Sequence, residues 1–127
     1  MVSTPAPATL IRARTGCDLQ RVDDVAAAIR DFGARYLDRV YTPAEQASYA
    51  IGGPASLAAR FAAKEAVLKL IGTADGVDLR SVEIRTSVGG RPEVHLTGRV
   101  GWSACENMMS GVGRGLMLPK CTGAFSQ

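Results

Sequence analysis

The apolar positions of this chain first form a short strand-like run and then recur at helical spacing. Residues 9–19 begin with apolar side chains that predict a strand, and a carboxylate, Asp18, lies at its end. From Val22 onwards the spacing of apolar residues predicts an amphipathic helix that ends near Gly33. The chain is therefore predicted to begin with a strand and a helix.

Two further helices are predicted from the residues at their ends. Residues 42–45, Thr-Pro-Ala-Glu, provide a capping threonine, a first-turn proline and the glutamate of a capping box, so a helix begins there. Residues 52–54, Gly-Gly-Pro, end it. Residues 55–71 are rich in Ala and Leu, which are strong helix formers, and Gly72 stands where a C-terminal cap is expected.

A β-hairpin and one more helix are predicted after the third helix. Residues 81–85 and 93–96 alternate polar and apolar side chains, and the glycines at 89 and 90 can turn the chain between them. Residues 97–109 favour a helix, and a glycine-rich break follows at residues 111–115.

The third helix carries a carboxylate in its apolar stripe. At 100° per residue, about 80° of the helix surface contains four positions: Leu57, Phe61, Glu65 and Leu68. Burial of an ionised Glu65 requires a cation, a metal or a hydrogen-bond network. Lys64 and Lys69 flank this face, and Glu65 with Lys69 has the favourable i,i+4 order. The alternative is a partly exposed Glu65 in a helix salt bridge.

A second carboxylate, Asp18, follows Gly16 and Cys17 at the end of the predicted first strand. A Gly-x-Asp sequence alone is commonly a turn. Together with Glu65, however, Asp18 supplies a pair of carboxylates, and Mg²⁺ is usually held by one or two carboxylates, several waters and substrate phosphates.

Four short motifs occur in order along the chain. Residues 16–18 read Gly-Cys-Asp and residues 39–45 read Arg-Val-Tyr-Thr-Pro-Ala-Glu. Residues 60–66 read Arg-Phe-Ala-Ala-Lys-Glu-Ala and continue to Lys69, Gly72 and Thr73, and residues 90–92 read Gly-Arg-Pro. In order and spacing these motifs resemble those of the holo-acyl-carrier-protein synthases, which are 4'-phosphopantetheinyl transferases. The family's motifs are the G-x-D strand end, the R-V-F/Y-T-x-x-E segment, the W/F-x-x-K-E-A/S-x-x-K helix and the G-K/R-P hairpin. The resemblance covers roughly residues 9–100.

The resemblance implies a fold, an assembly and an activity. The fold is expected to be α+β, with an antiparallel sheet packed against the long helix, and the chain is expected to form a homotrimer with active sites at subunit interfaces. The implied reaction depends on Mg²⁺ and transfers 4'-phosphopantetheine from coenzyme A to a serine of an apo acyl carrier protein, of fatty-acid or polyketide type. Adenosine 3',5'-bisphosphate is released.

The resemblance also assigns roles to individual residues. Asp18 and Glu65 are expected to hold Mg²⁺ on the coenzyme A pyrophosphate and, with Lys69, to be the catalytic residues. Lys64 and Lys69 are expected to neutralise phosphate charge. Three further residues are expected to contact coenzyme A: Arg60, Gly72 and Arg91. The serine hydroxyl is expected to be activated by a water on the metal or by a neighbouring carboxylate, and both alternatives stay open.

Two segments depart from the family pattern. Arg21 is followed by Asp23 and Asp24 where the family's first helix presents basic residues to an acidic carrier, which fits a specialised carrier such as a polyketide one. Residues 116–120 read Leu-Met-Leu-Pro-Lys where the family closes with a strand, and Pro119 removes an amide donor, so the final strand is expected to be degenerate or truncated. The alternative function is a catalytically impaired member that binds coenzyme A or a carrier protein.

Composition excludes several classes of protein. A chain of 127 residues encloses one core, so one domain is expected over residues 9–127, after a disordered leader at residues 1–8 that lacks the features of a secretory signal. No apolar run approaches the ~20 residues of a membrane span, so a cytoplasmic protein is expected. Three cysteines without a C-x-x-C pair are interpreted as free thiols. The net charge of +3, without aromatic stacking residues, argues against a nucleic-acid partner.

Some other residues are assigned structural positions. His95 falls on the outward phase of its strand and is expected to face solvent. Trp102, Met108 and Met109 are expected to belong to the apolar face of the last helix.

Overall fold

The computed structural model describes residues 15–72 and 76–109 together with the two-residue strand at 120–121. Its helices are α1 (Val22–Phe32), α2 (Ala34–Val40), α3 (Pro43–Ala47), α4 (Tyr49–Ile71) and α5 (Gly98–Met109), and a 3-10 turn spans Leu79–Ser81. Its strands are β1 (Val82–Thr86), β2 (Pro92–Leu96) and β3 (Lys120–Cys121). In this part of the chain, no helix has the length and apolar content to cross a membrane.

The sheet has three strands in the order β1-β2-β3. β1 and β2 form the predicted antiparallel hairpin, in which Val82 pairs with Leu96 and Ile84 with Val94. β3 pairs with β2 in parallel, with His95 opposite Lys120. The expected α+β fold with an antiparallel sheet is confirmed by the helices and the hairpin, while β3, only two residues long, adds a parallel pairing.

Two apolar clusters pack on α4. One lies between α4, the hairpin and α5, and its buried residues are Leu68, Val82, Ile84, Leu96, Val100 and Ala104. The other lies between α1, the end of α2 and α4, and its buried residues are Val25, Val40, Tyr41, Leu57 and Ala58. α4 therefore contributes buried residues to both clusters and connects the two parts of the core.

The ends of α4 follow from glycine. Gly72 caps its C-terminus in the left-handed region with φ 79°, as the sequence predicts, because glycine has no Cβ to oppose that conformation. Near the other end Gly53 is non-helical, with φ 61° and ψ −158°, and Pro54 begins the straight part of the helix. Residues 52–54 were predicted to end the second helix. In the structure that helix already ends at Ala47, and the glycines instead produce a kink inside α4.

Most of the other predictions of secondary structure are confirmed. α1 with its cap at Gly33, the capping box of Thr42 and Glu45, the hairpin and α5 are confirmed. α2 was not predicted, because this helix has only seven residues and follows Gly33 directly, too short a segment to show a helical period. Residues 15–21 form no strand, while residues 9–14, the leader and the glycine-rich break lie outside the described residues.

Candidate active site

The chain around Gly16 lies directly on α4. A Cβ built on Gly16 would stand 3.2 Å from the carbonyl carbon of Ala66, 3.3 Å from Cβ of Leu70 and closer still to the carbonyl oxygen of Ala66. Backbone atoms of a packed helix cannot move away as a flexible side chain can. The absence of a side chain at Gly16 therefore allows this approach, which brings the following residues to the C-terminal half of α4.

Asp18 and Lys69 meet at this crossing as an ion pair, in which the Lys69 ammonium donates to Oδ1 of Asp18. The Asp18 side chain is only 18% exposed, whereas that of Lys69 is 57% exposed. The hydrogen bond to Asp18 is the main cause of the raised pKa of Lys69, and the charges of Cys17 and Glu65 raise it further. Asp18 is thus brought next to Lys69 and near the charge of Glu65, and the roles predicted for the three residues stay predictions.

Glu65 is half-buried at the edge of the apolar stripe of α4. The alternative interpretation, a helix salt bridge of Glu65, is not what the structure has: Lys69 pairs with Asp18, and Glu65 acts on Lys69 through its charge. Among the residues that the structure describes, the Glu65 carboxylate has no ion-pair partner.

Asp18 and Glu65 suit Mg²⁺, which needs few protein ligands, better than a metal whose ligands are all protein side chains. Over residues 15–72 and 76–109 and at 120–121, no group of three or more His, Cys, Asp or Glu side chains is arranged to hold a metal. Mg²⁺ commonly takes only one or two carboxylates and completes its shell with waters and substrate phosphates. Asp18 and Glu65 supply that number of donors, and the exposed Lys69 adds a cation beside them.

Lys64 lies elsewhere, in the interior of the protein. Its side chain is 0% exposed, and its Nζ lies 2.6 Å from Oε2 of Glu45, 2.8 Å from the carbonyl oxygen of Val40 and 3.0 Å from that of Leu79. All three partners are acceptors, so Nζ needs three hydrogens and must be charged. Burial lowers the pKa of Lys64, and the hydrogen bond to Glu45 opposes that effect.

Glu45 completes this interior network. Its Oε2 accepts from the backbone N–H of Thr42 at 2.9 Å, and its Oε1 accepts from that of Ile84 at 2.8 Å. One carboxylate therefore closes the capping box of α3, holds the outer edge of β1 and pairs with Lys64 on α4. The predicted contact of Lys64 with phosphate stays a prediction, and in this structure its three donors are already occupied.

Sequence reasoning missed this pair although a signal for it was present. With 100° per residue, Lys64 lies about 20° from Leu57 around α4, whereas Glu65 lies about 80° away. The charged residue at the centre of the apolar stripe is thus Lys64, and Glu65 is at its edge. The capping box at Glu45 was recognised, but nothing in it indicated which cation its carboxylate would meet.

The three residues expected to contact coenzyme A lie at different places. Arg60 spans α4 and β1, because its Nη1 donates to the carbonyl oxygen of Ser56 at 3.1 Å and its Nη2 to Oγ1 of Thr86 at 3.4 Å. Its Nε is buried without a hydrogen-bond partner among the described residues. Arg91 is exposed beside the hairpin turn, and Gly72 is the cap of α4. Their contact with coenzyme A stays a prediction.

Two of the structural assignments were wrong. The His95 side chain is only 12% exposed, because it lies between Glu83, its partner across the hairpin, and Glu93, whose carboxylate is 3.5 Å from Nε2. Trp102 was expected in the core and is 63% exposed, since the buried face of α5 passes through Val100 and Ala104 instead. The side chains of Met108 and Met109 lie outside the described part.

Comparison with known proteins places these residues in a wider context. A model of the 4'-phosphopantetheinyl transferase superfamily matches residues 14–109. The chain is 42% identical over 92 residues to a holo-[acyl-carrier-protein] synthase of Roseiflexus sp. (strain RS-1), and the match covers 66% of this chain and 66% of that protein. The matched segment is thus about two thirds of that relative's length.

Solved structures of similar fold have related descriptions. The holo-[acyl-carrier-protein] synthase of Neisseria meningitidis has a TM-score of 0.63 and 28% identity, over 74% of this chain and 78% of that one. An ACPS-CoA complex of Chronobacterium ammoniagenes has a TM-score of 0.62 and 25% identity, over 71% and 75% of the two chains. The fold similarity therefore extends over most of the described residues.

Proposed function

Because this chain belongs to the 4'-phosphopantetheinyl transferase superfamily, we propose that it is a holo-acyl-carrier-protein synthase. It transfers 4'-phosphopantetheine from coenzyme A to a serine of an apo carrier protein. The observation that carries the proposal is the crossing of the Gly16 segment over α4, which brings Asp18 to the exposed Lys69 and near the charge of the half-buried Glu65. Two carboxylates beside a lysine suit a metal-bound pyrophosphate.

The proposed reaction assigns each residue of this cluster a task. Asp18 and Glu65 hold Mg²⁺ beside the pyrophosphate, and the ion, when bound, supplies neutralisation of phosphate charge. The serine hydroxyl gives its proton to a water or to a neighbouring carboxylate, its oxygen forms a bond to the β-phosphorus, and the bond from that phosphorus to the bridging oxygen breaks. Lys69 stabilises the negative charge that develops on the departing adenosine 3',5'-bisphosphate. The Lys69 side chain is 57% exposed, so its ammonium is accessible to the substrate.

Three finer parts of the proposal have separate support. A homotrimer with active sites at subunit interfaces rests on the family resemblance. The family resemblance also implies a carrier protein of the fatty-acid or polyketide type. The exposed acidic first turn of α1, with Asp23 and Asp24, supports a specialised carrier protein. A cytoplasmic location accords with the substrates. Light scattering of the purified protein tests the trimer directly.

Intact-mass analysis of carrier proteins tests the activity. The protein is incubated with coenzyme A, Mg²⁺ and a panel of apo carriers, each compared with a carrier whose acceptor serine is replaced by alanine. We expect one carrier to gain a single phosphopantetheine group, and we expect chelation of Mg²⁺ to prevent the gain. A protein that binds coenzyme A tightly but modifies no carrier would instead be a binding protein, and the proposal would be wrong.

A further inference from the structure

We propose that Lys64 and Glu45 are a positioning pair, which sets the rotation of α4 about its axis and thereby the direction of Glu65. This inference rests on the proposed function of Glu65 as a metal ligand. Lys64 is the preceding residue on the same helix, and it is completely buried, whereas Glu65 emerges at the edge of the apolar stripe. The pair acts on the reaction only through Glu65.

The contacts of Lys64 come from three separate segments. Glu45 belongs to α3, the carbonyl of Val40 ends α2, and the carbonyl of Leu79 begins the 3-10 turn before β1. The three N–H donors of one ammonium group thus point at acceptors on three elements that surround α4. Rotation of the helix would break several of these hydrogen bonds together, because their strength depends on direction.

Apolar packing alone restrains this helix less. Five of the nine residues from 58 to 66 are alanine, whose side chains are too short to interlock deeply with neighbouring elements. The hydrophobic contribution is also non-directional and depends on buried area. Arg60 and Tyr41 each add one hydrogen bond between α4 and a neighbouring segment, to Thr86 Oγ1 and from the Tyr41 hydroxyl to the Leu57 carbonyl. Lys64 joins α4 to three segments at once, so its hydrogen bonds are the strongest directional restraint on this part of the helix, and Glu65 follows about 100° further round.

The same network argues against a direct contact between Lys64 and phosphate. Withdrawal of the ammonium from the interior would leave the Glu45 carboxylate buried without a counter-charge, and the buried carbonyl of Val40 and the part-buried carbonyl of Leu79 would lose a donor. Lys69, which is exposed and close to Glu65, can reach an anion without such a loss. The two lysines of the 60–69 segment therefore have different tasks.

A double variant, Glu45→Gln with Lys64→Met, tests this inference. Both charges are removed together and the volumes are kept, so no charge is left buried without a partner. Three measurements are made: Mn²⁺ binding in the presence of coenzyme A by electron paramagnetic resonance, kcat and KM for coenzyme A, and the melting temperature. Arg80→Gln, which removes an exposed ion pair with Asp78 at 3.1 Å, is the control.

We expect the double variant to fold and to bind Mn²⁺ about tenfold more weakly, comparable to the loss of other residues that support metal ligands. We expect kcat to fall by about tenfold or more, since small displacements of catalytic groups are costly, while KM for coenzyme A changes less than about twofold. The control should change none of these values. A raised KM with unchanged Mn²⁺ affinity would make Lys64 a phosphate ligand and overturn the inference.

Two further variants keep the test decisive. If the double variant does not fold, Glu45→Asp, which keeps both charges but shortens one arm, is judged by the same measurements. Glu65→Gln separates the inference from the proposed function. If Glu65→Gln loses Mn²⁺ binding and transfer while the double variant keeps both, the positioning pair alone is refuted. If Glu65→Gln keeps both, the proposed metal site fails, and the inference fails with it.

Discussion

Replacement of Gly16 by alanine tests how the active site is assembled. The new Cβ would lie inside the normal contact distance of the Ala66 carbonyl oxygen and about 3.2 Å from its carbon, both of which belong to the α4 backbone. Either α4 must shift or the segment that contains Gly16 must move away from it. Both outcomes displace Asp18, which is only two residues further along.

The magnitudes indicate which part moves. Forced overpacking of this kind costs about 1–3 kcal/mol. The ion pair that holds Asp18 against the helix includes a largely exposed lysine, and an exposed pair contributes only about 0.2–1 kcal/mol. The segment should therefore detach while α4 keeps its packing. Loss of at most about 1 kcal/mol lowers the melting temperature of a small domain by no more than about 4–8 °C.

The assay combines phosphopantetheine transfer, followed by intact mass, with thermal unfolding followed by circular dichroism. We expect Gly16→Ala to lose most transfer activity and nearly none of its helical signal. Gly89→Ala is the matched control, because a Cβ at Gly89 meets nothing within 4 Å. Full activity of Gly16→Ala would refute the argument that this close approach positions Asp18. A large fall in melting temperature would show that α4, rather than the segment, yields.

The remaining predictions concern the charged residues. Glu65→Gln and Asp18→Asn should each abolish Mg²⁺-dependent transfer with little change in circular dichroism, and transfer at the parental rate by either variant would exclude that residue as a metal ligand. Lys69→Arg should lose most activity although the charge is kept, because a broad guanidinium cannot replace a compact ammonium beside a pyrophosphate; normal turnover would contradict this. Lys64→Met alone should lower the free energy of unfolding in urea by about 3–5 kcal/mol, since Glu45 is left as an unpaired buried charge, and a loss below about 1 kcal/mol would argue against that pair. The pKa of Lys69 is raised above 10.5 in the folded state, so the stabilisation from its pair with Asp18 is complete near neutral pH and is lost as the pH rises through the folded pKa. The difference in melting temperature between the parent and Lys69→Gln should therefore be constant near neutral pH and should disappear at alkaline pH. A difference that grows as the pH rises would contradict a raised pKa.

Much of the secondary structure could be predicted because its causes lie within a few residues of one another. The capping box joins Thr42 to Glu45 across a single turn, and the left-handed cap at Gly72 depends on one residue's lack of a Cβ. The hairpin follows from alternation of side chains on either side of two glycines. Asp18, Glu65 and Lys69 were also identified in advance, from motifs whose order and spacing resemble those of a known family.

The partners of the charged residues were decided only by the tertiary structure. The i,i+4 order of Glu65 and Lys69 is favourable for a pair, yet the ion pair of Lys69 is with Asp18, 51 residues distant, because Gly16 lets that segment lie on α4. Lys64 was expected to neutralise phosphate charge, which stays a prediction, and the structure shows that its ammonium pairs with Glu45 inside the core. Helical periodicity determines which face of α4 a residue occupies. Only the packing of α2, α3 and β1 around that face decides whether the charge there meets water, a substrate or a buried carboxylate, because burial makes a partner obligatory.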